Sequence, residues 1–357
     1  MTQSCPGGPT PVHLDRTAVP ARTPRAVDWI LVRLIFAGTP HVAVPSLEAL
    51  LASEHEVVAV LTRPDAPVGR KRVLTPSPVK VRAQAAGIPV LEADRLRGDI
   101  LTEIESLAPD AVAVVAYGAI AGPRALAAAA HGWFNLHFSL LPAWRGAAPV
   151  QRAIMARQTG SGVTVFRIDT GMDTGDVVAQ AAFELPEADA GAVLDDYAER
   201  GAPVLVAALD AVAAGTADYR PQAGESSHAD KITPDEARLD FRAPAPEVSA
   251  RARGVTPQPG AWALIDGKRT KLFGVQVYRS GSPDHTAPTD PQTASPTVPQ
   301  ADLPPGRLTR RGDAVVIGTG DGAVSVTGIQ PFGKPRMSAL DFHRGHGDID
   351  FDLEETP

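Results

Sequence analysis

A single cysteine, Cys5, leaves this chain of 357 residues without an internal disulfide and without the paired thiolates of a zinc or iron–sulfur site. Aromatic residues are scarce at 5%, and no apolar run approaches the roughly 20 residues a membrane-spanning helix needs. The first 28 residues hold Pro, Gly, Thr and Arg but no apolar core, so no secretory signal is read there. A reducing cytoplasm is the expected compartment. The dinucleotide fingerprint G-x-G-x-x-G is missing as well. The first turn, Ala-Gly-Thr-Pro-His (37–41), carries one glycine, and NAD is not expected.

Charge is short of positive sign overall, with a net of −7, which argues against a polyanionic partner for the molecule as a whole. The distribution argues otherwise. Residues 63–82 hold six basic side chains against one acidic, and residues 241–345 hold 13 against 8. Each stretch carries +5, so the remainder sums to −17. An acidic body with a basic loop and a basic second half can grip a polyanion in one place.

What is present is 44% hydrophobic residues in a repeating pattern. Strand-like runs at 31–36, 56–61, 88–91 and 110–116 alternate with helical spacing at 44–52, 79–86, 100–107 and 123–130. The run at 110–116 is apolar throughout, as in a strand covered on both faces. This alternation predicts a Rossmann-like, mostly parallel α/β sheet with helices on both faces, which binds ligands beyond the carboxyl ends of its strands. Further elements are expected at 150–157 (helix), 162–169 and 176–183 (strands) and 192–214 (a long helix). After a helix at 246–253, short β runs at 261–265, 270–278, 314–317 and 323–329 predict a small OB-like β-barrel.

The most informative stretch is 132–151. In its apolar opening, Asn135 and His137 stand two residues apart and share one strand face, while Phe134, Leu136 and Phe138 take the other. A strand end that delivers an amide beside an imidazole suits a reaction centre. It equally suits a buried strand with two satisfied polar residues. Asp173, in the Gly-punctuated loop 170–176, reads either as a functional carboxylate or as a turn acid capping its own loop, with Asp169 as its rival. Ser139 reads as a ligand contact or as a cap. Arg70, Lys71 and Arg72 read as a polyanion clamp or as a solvated basic loop. His343, His346 and Asp348 lie on a polar stretch after the last apolar run and are expected to be solvated, not metal ligands.

Several motifs taken together resemble those of the bacterial methionyl-tRNA formyltransferases, in the same order: Phe-Ala-Gly-Thr-Pro (36–40), Pro-Ser-Pro-Val-Lys (76–80), Val-Ala-Tyr-Gly (115–118), Ser-Leu-Leu-Pro-Ala-Trp-Arg-Gly-Ala-Ala-Pro (139–149) and Met-Asp-Thr-Gly-Asp (172–176). The resemblance covers about residues 31–345. It implies a catalytic domain at 31–215, a linker at 216–240 and an OB-like tRNA-binding domain at 241–345, with a tail at 346–357. Residues 1–30 have no counterpart in the family and read as a disordered extension or an artefact of start-site choice, and the Ser-, Thr-, Pro- and Asp-rich composition of 280–305 predicts a flexible insertion. It implies transfer of a formyl group from 10-formyltetrahydrofolate to the amine of methionyl-initiator tRNA by a monomer, with no metal, membrane or covalent enzyme intermediate required.

The same resemblance assigns Asn135, His137 and Asp173 to catalysis: Asn135 and His137 as donors to the oxyanion, with His137 either protonated beside the carboxylate or shuttling a proton, and Asp173 orienting His137 or itself taking the amine's proton, directly or through a water. It assigns Val115, Tyr117, Gly118, Ser139, Leu140, Leu141 and Pro142 to the folate, and Arg70, Lys71 and Arg72 to tRNA. Phe138 departs from the family, which commonly has a small residue there, and Ala66 stands where some members have Arg. A formyltransferase or hydrolase acting on another substrate, or a non-catalytic RNA-binding protein, is the alternative.

Overall fold

The computed structural model describes residues 31–69, 71–279 and 303–353. The expected extension at 1–30, Arg70 and most of the insertion at 280–305 lie outside the described residues.

The first half is built on a seven-stranded sheet. Its strands are β1 (Arg33–Gly38), β2 (Glu56–Thr62), β5 (Val90–Glu92), β6 (Ala111–Val115), β7 (Gly132–His137), β9 (Gly160–Arg167) and β10 (Val177–Glu184). Between them lie a hairpin of β3 (Ala66–Val68) and β4 (Val73–Thr75) and the two-residue strand β8 (Arg145–Gly146). The spatial order is β10-β9-β7-β6-β1-β2-β5. Strands β7, β6, β1, β2 and β5 run parallel, and β9 and β10 add on antiparallel at one edge.

Side-chain alternation sends Leu34 and Phe36 into one core and Ile35 and Ala37 into another. Helices α1 (Val44–Leu51), α2 (Pro78–Ala85), α5 (Pro149–Met155) and the 24-residue α6 (Ala190–Ala213) cover the first face. Helices α3 (Asp99–Ser106) and α4 (Pro123–Leu126) cover the second. The Ala-rich helix expected to reach residue 130 stops at Leu126. Ala130 and His131 instead donate their N–H groups to the carbonyls of Pro109 and Asp110, and those tertiary bonds override helix propensity.

The second half opens on α7 (Ala245–Gly254). An antiparallel sheet of β12 (Trp262–Ile265), β13 (Lys268–Phe273), β18 (Gly328–Gln330) and β19 (Met337–Ser338) faces one of β14 (Gln276–Val277), β17 (Gly322–Val326), β16 (Ala314–Thr319), β15 (Arg307–Arg311) and β20 (Ile349–Asp350). Both sheets share one core. The stretch expected to be a solvated tail is folded. Phe342 on α8 (Ala339–His346) and Phe351 are both buried, Phe351 lies 5.1 Å from Phe241, and β20 pairs with β15. His343 pairs with Asp348 at 2.8 Å, and His346 stacks on Phe342.

Residues 220–230, expected to be linker, also pack on the first half. Val177 and Arg220 exchange both backbone hydrogen bonds, and β11 (His228–Ala229) pairs in parallel with β8.

Candidate active site

The site forms where β7 ends. Phe134, Leu136 and Phe138 all pack into the core under α6. At roughly 1.5–3 kcal/mol for each buried side chain, that face fixes the strand and outweighs the cost of keeping polar groups on the other. Phe138 faces that core, which accounts for its bulk: it takes no space on the polar face. Asn135 is half-buried at the register of Val114 and Phe166, and its side chain makes no hydrogen bond among the described residues. An unpaired amide at a strand's carboxyl end is free to meet a ligand.

His137 is buried, with 6% of its side chain exposed. Its Nε2 lies 2.9 Å from the Trp144 carbonyl. A carbonyl can only accept, so Nε2 carries the proton, and in the neutral ring Nδ1 holds a bare lone pair. That Nδ1 faces Asp173 Oδ2 at 3.8 Å, too far for a hydrogen bond. Burial pushes the imidazole below its ordinary value, while the Asp173 charge and the Trp144 carbonyl pull it upward. With so little water at the ring, burial wins. A His137 kept protonated by its carboxylate neighbour is therefore not what the resting site holds. The resting ring is neutral, and the proton-shuttling alternative is the one this geometry suits.

Asp173 sits at a φ of 54°, a left-handed conformation that Asp tolerates better than most residues. Its Oδ2 accepts the Gly146 N–H at 2.8 Å, so it reaches across to β8 instead of capping its own loop. Asp169 does the capping: its Oδ1 accepts from Gly171 N and Thr174 Oγ1. Gly146 has a φ of 123°, and a Cβ there would meet the Ala229 carbonyl at 2.8 Å. Only glycine lets that N–H approach Asp173 with β8 and β11 paired.

The loop after β7 is tied down from several sides. Ser139 Oγ donates to the Ala143 carbonyl, and the carbonyls of Ser139, Leu140, Leu141 and Pro142 accept from Thr164 Oγ1, Ala143 N, Gln180 Nε2 and Ser227 N. The result is a stiff wall, with Leu140 and Pro142 half-buried and the Leu141–Pro142 peptide cis. Val115, by contrast, is core. Tyr117 turns its ring into the opposite core, where its hydroxyl donates to the Ala93 carbonyl and burial pushes its pKa to about 12. From 115–118 a ligand can meet backbone, with Gly118 exposed and its carbonyl already accepting from Arg63.

In the basic loop, Arg63, Lys80 and Arg82 are engaged with Asp94, with Asp65 and Glu92, and with Glu48. Lys71 and Arg72 are exposed at the hairpin and form no ion pair among the described residues. Arg70 lies outside them. Thr164, Gln180, Ser227 and Gln222 also build the site. Nothing in their sequence surroundings marks them, because each acts on a residue more than ten positions away.

The comparisons with known proteins bear on this arrangement. A sequence model described as Formyl transferase matches residues 32–209, and one described as Formyl transferase, C-terminal domain matches 231–347. The methionyl-tRNA formyltransferase of Paenarthrobacter aurescens is 49% identical over 315 residues, which span 88% of this chain and 97% of that protein. That of Thermobifida fusca is 46% identical over 317 residues, spanning 88% and 96%. Among solved structures, HypX from Aquifex aeolicus in complex with tetrahydrofolic acid shares the fold at a TM-score of 0.58 and 19% identity, over 87% of this chain and 47% of that one. Methionyl-tRNA formyltransferase from Clostridium thermocellum shares it at 0.52 and 13%, over 71% and 96%. With both parts of the formyl transferase sequence matched, and near-half identity along almost the full length of these relatives, the chain belongs to the methionyl-tRNA formyltransferase family.

Proposed function

We propose that this protein carries the formyl group of 10-formyltetrahydrofolate to the α-amine of methionine esterified to initiator tRNA. One observation carries the reading: β7 ends in an unpaired amide and a neutral imidazole whose bare nitrogen faces a carboxylate 3.8 Å away. The chemistry asks three things of a protein. A donor must meet the formyl oxygen as it becomes an oxyanion, a base must take the amine's proton, and that proton must reach the leaving nitrogen.

The Asn135 amide N–H suits the first task. His137 suits the other two. Its Nδ1 takes the proton as the amine nitrogen bonds to the formyl carbon. Asp173 steadies the imidazolium, and Nδ1 returns the proton to N10 as the carbon–N10 bond breaks. The amine loses one proton, tetrahydrofolate gains one, and His137 ends neutral. Bound here, the co-substrate supplies a formyl group on a nitrogen that leaves as a neutral amine. It fits the groups present, because Asn135 is unpaired and the wall at 139–142 is rigid. Val115, Tyr117 and Gly118, through their backbone, and Ser139, Leu140, Leu141 and Pro142 would hold it.

Asn135→Ala should lower kcat by about 10²–10³-fold, the effect of losing one oxyanion donor. A loss under ten-fold in single-turnover formylation would remove Asn135 from that role.

Arg70 is proposed to act at the end of the tRNA acceptor stem, with Lys71 and Arg72 gripping phosphates beside it. Replacing Lys71 and Arg72 by Ala should lessen the slope of log affinity against log salt by about 0.7–0.9 for each phosphate no longer neutralised, and leave folate binding unchanged. An unaltered salt slope would place the clamp elsewhere. The reading as a whole is tested by supplying 10-formyltetrahydrofolate with charged initiator or elongator tRNA. The initiator should be formylated; equal formylation of both, or of neither, would overturn it.

A further inference from the structure

We infer that Gln222, on the segment that crosses from the first half of the chain to the second, is a positioning residue that holds the Asp173 carboxylate against His137. The inference rests on the formyl-transfer reading above.

The loop that carries Asp173 is glycine-punctuated, and Met172 beside Asp173 is 66% exposed. Asp169 ties Gly171 and Thr174, and the Asp176 carbonyl accepts the Arg167 N–H. The main chain at Asp173 and Gly175 is held by one further side chain. Gln222 Nε2 donates to the Asp173 carbonyl at 2.8 Å and to the Gly175 carbonyl at 2.9 Å. Its Oε1 accepts from Arg145 Nε at 3.1 Å and Nη2 at 2.7 Å. The amide thus uses both donor hydrogens and both acceptor positions. Its orientation is forced, because Arg145 can only donate and the loop carbonyls can only accept.

Gln222 is itself anchored on both sides. Two residues before it, Arg220 exchanges backbone hydrogen bonds with Val177 at 2.8 and 2.9 Å. Five residues after it, Ser227 accepts the Arg145 N–H on its carbonyl and the Trp144 N–H on its Oγ. Arg145 is followed by Gly146, whose N–H binds Asp173 Oδ2, and preceded by Trp144, whose carbonyl binds His137. One strap therefore sets the carboxylate and the imidazole relative to each other. Among the described residues the charged group acting on His137 is Asp173, with the Trp144 carbonyl and the Phe166 ring edge as its other neighbours.

Two substitutions test this. Gln222→Ala removes the clamp. Gln222→Glu keeps its shape and gives Arg145 a carboxylate partner, but it turns both donors to the loop into acceptors. If Gln222 only steadied Arg145, the Glu variant would serve as well as the parent. If it positions Asp173, both variants should lose about 10–10²-fold in kcat, the cost of misplacing a reacting group by about 1 Å. KM for both substrates should stay within about two-fold of the parent. The acid limb of the kcat profile should also move to lower pH, because a displaced Asp173 raises the His137 pKa less. A Glu variant with the parent's kcat, or a kcat loss with the acid limb unmoved, overturns the inference. A parent that fails to formylate methionyl-tRNA overturns the functional reading instead, so the two failures are distinguishable.

Discussion

His137→Ala lowers single-turnover formylation by about 10²–10⁴-fold, the usual contribution of a positioned acid–base group. Its size follows from one nitrogen doing two jobs. Nδ1 takes the amine's proton and later delivers it to N10, so its loss slows the formation of one bond and the breakage of another. The alanine variant also leaves the Trp144 carbonyl without its donor, at about 1–3 kcal/mol for a buried group. A fall in activity could then reflect a loosened loop. His137→Gln separates the two causes. Its amide N–H can reach the Trp144 carbonyl, yet it has no titratable nitrogen. The glutamine variant should melt close to the parent and transfer as slowly as the alanine variant. A glutamine variant within ten-fold of the parent would show that the contact to Trp144, and not proton transfer, is what His137 provides.

This dependence on environment also marks what the sequence could and could not reveal. The face shared by Asn135 and His137 was legible, because strand alternation forces it and the phenylalanines at 134 and 138 need the opposite side. The two-sided cover of β6 was legible from its unbroken apolar run. The protonation state of His137 was not. A neighbouring carboxylate predicts a raised pKa, and only the depth of burial reverses that. The hairpin of β3 and β4 was hidden because its strands are short, exposed and interrupted by Pro67. The fold of the last residues was hidden because Phe342 and Phe351 are the few apolar anchors in a polar stretch. Gln222 was hidden for a different reason: its partners are 47 to 77 positions away, and no local pattern encodes contacts across that separation.

Asp173→Asn should reduce kcat by about 10²–10⁴-fold while leaving the fold intact. The fold survives because the side chain's structural contact is one acceptor bond from Gly146 N–H, which the carbonyl oxygen of Asn can also accept. The charge does not survive. In the parent, burial alone would leave Nδ1 a poor base, and the Asp173 carboxylate at 3.8 Å offsets part of that by stabilising the imidazolium. Removing the charge takes away an upward pull, so the His137 pKa falls further. A weaker base accepts the amine's proton less readily, and kcat drops. The sign on the pH profile follows. Activity requires neutral His137 before proton transfer, so it is present above the His137 pKa and lost as pH falls through it. With that pKa lowered, the acid limb moves to lower pH, even as the plateau sinks. A capping acid with no catalytic part would give a different result: lowered stability, an unmoved acid limb and near-parent turnover at temperatures where the variant is folded. Measuring kcat from neutral pH downward through the acid limb, alongside thermal unfolding, therefore separates the two readings.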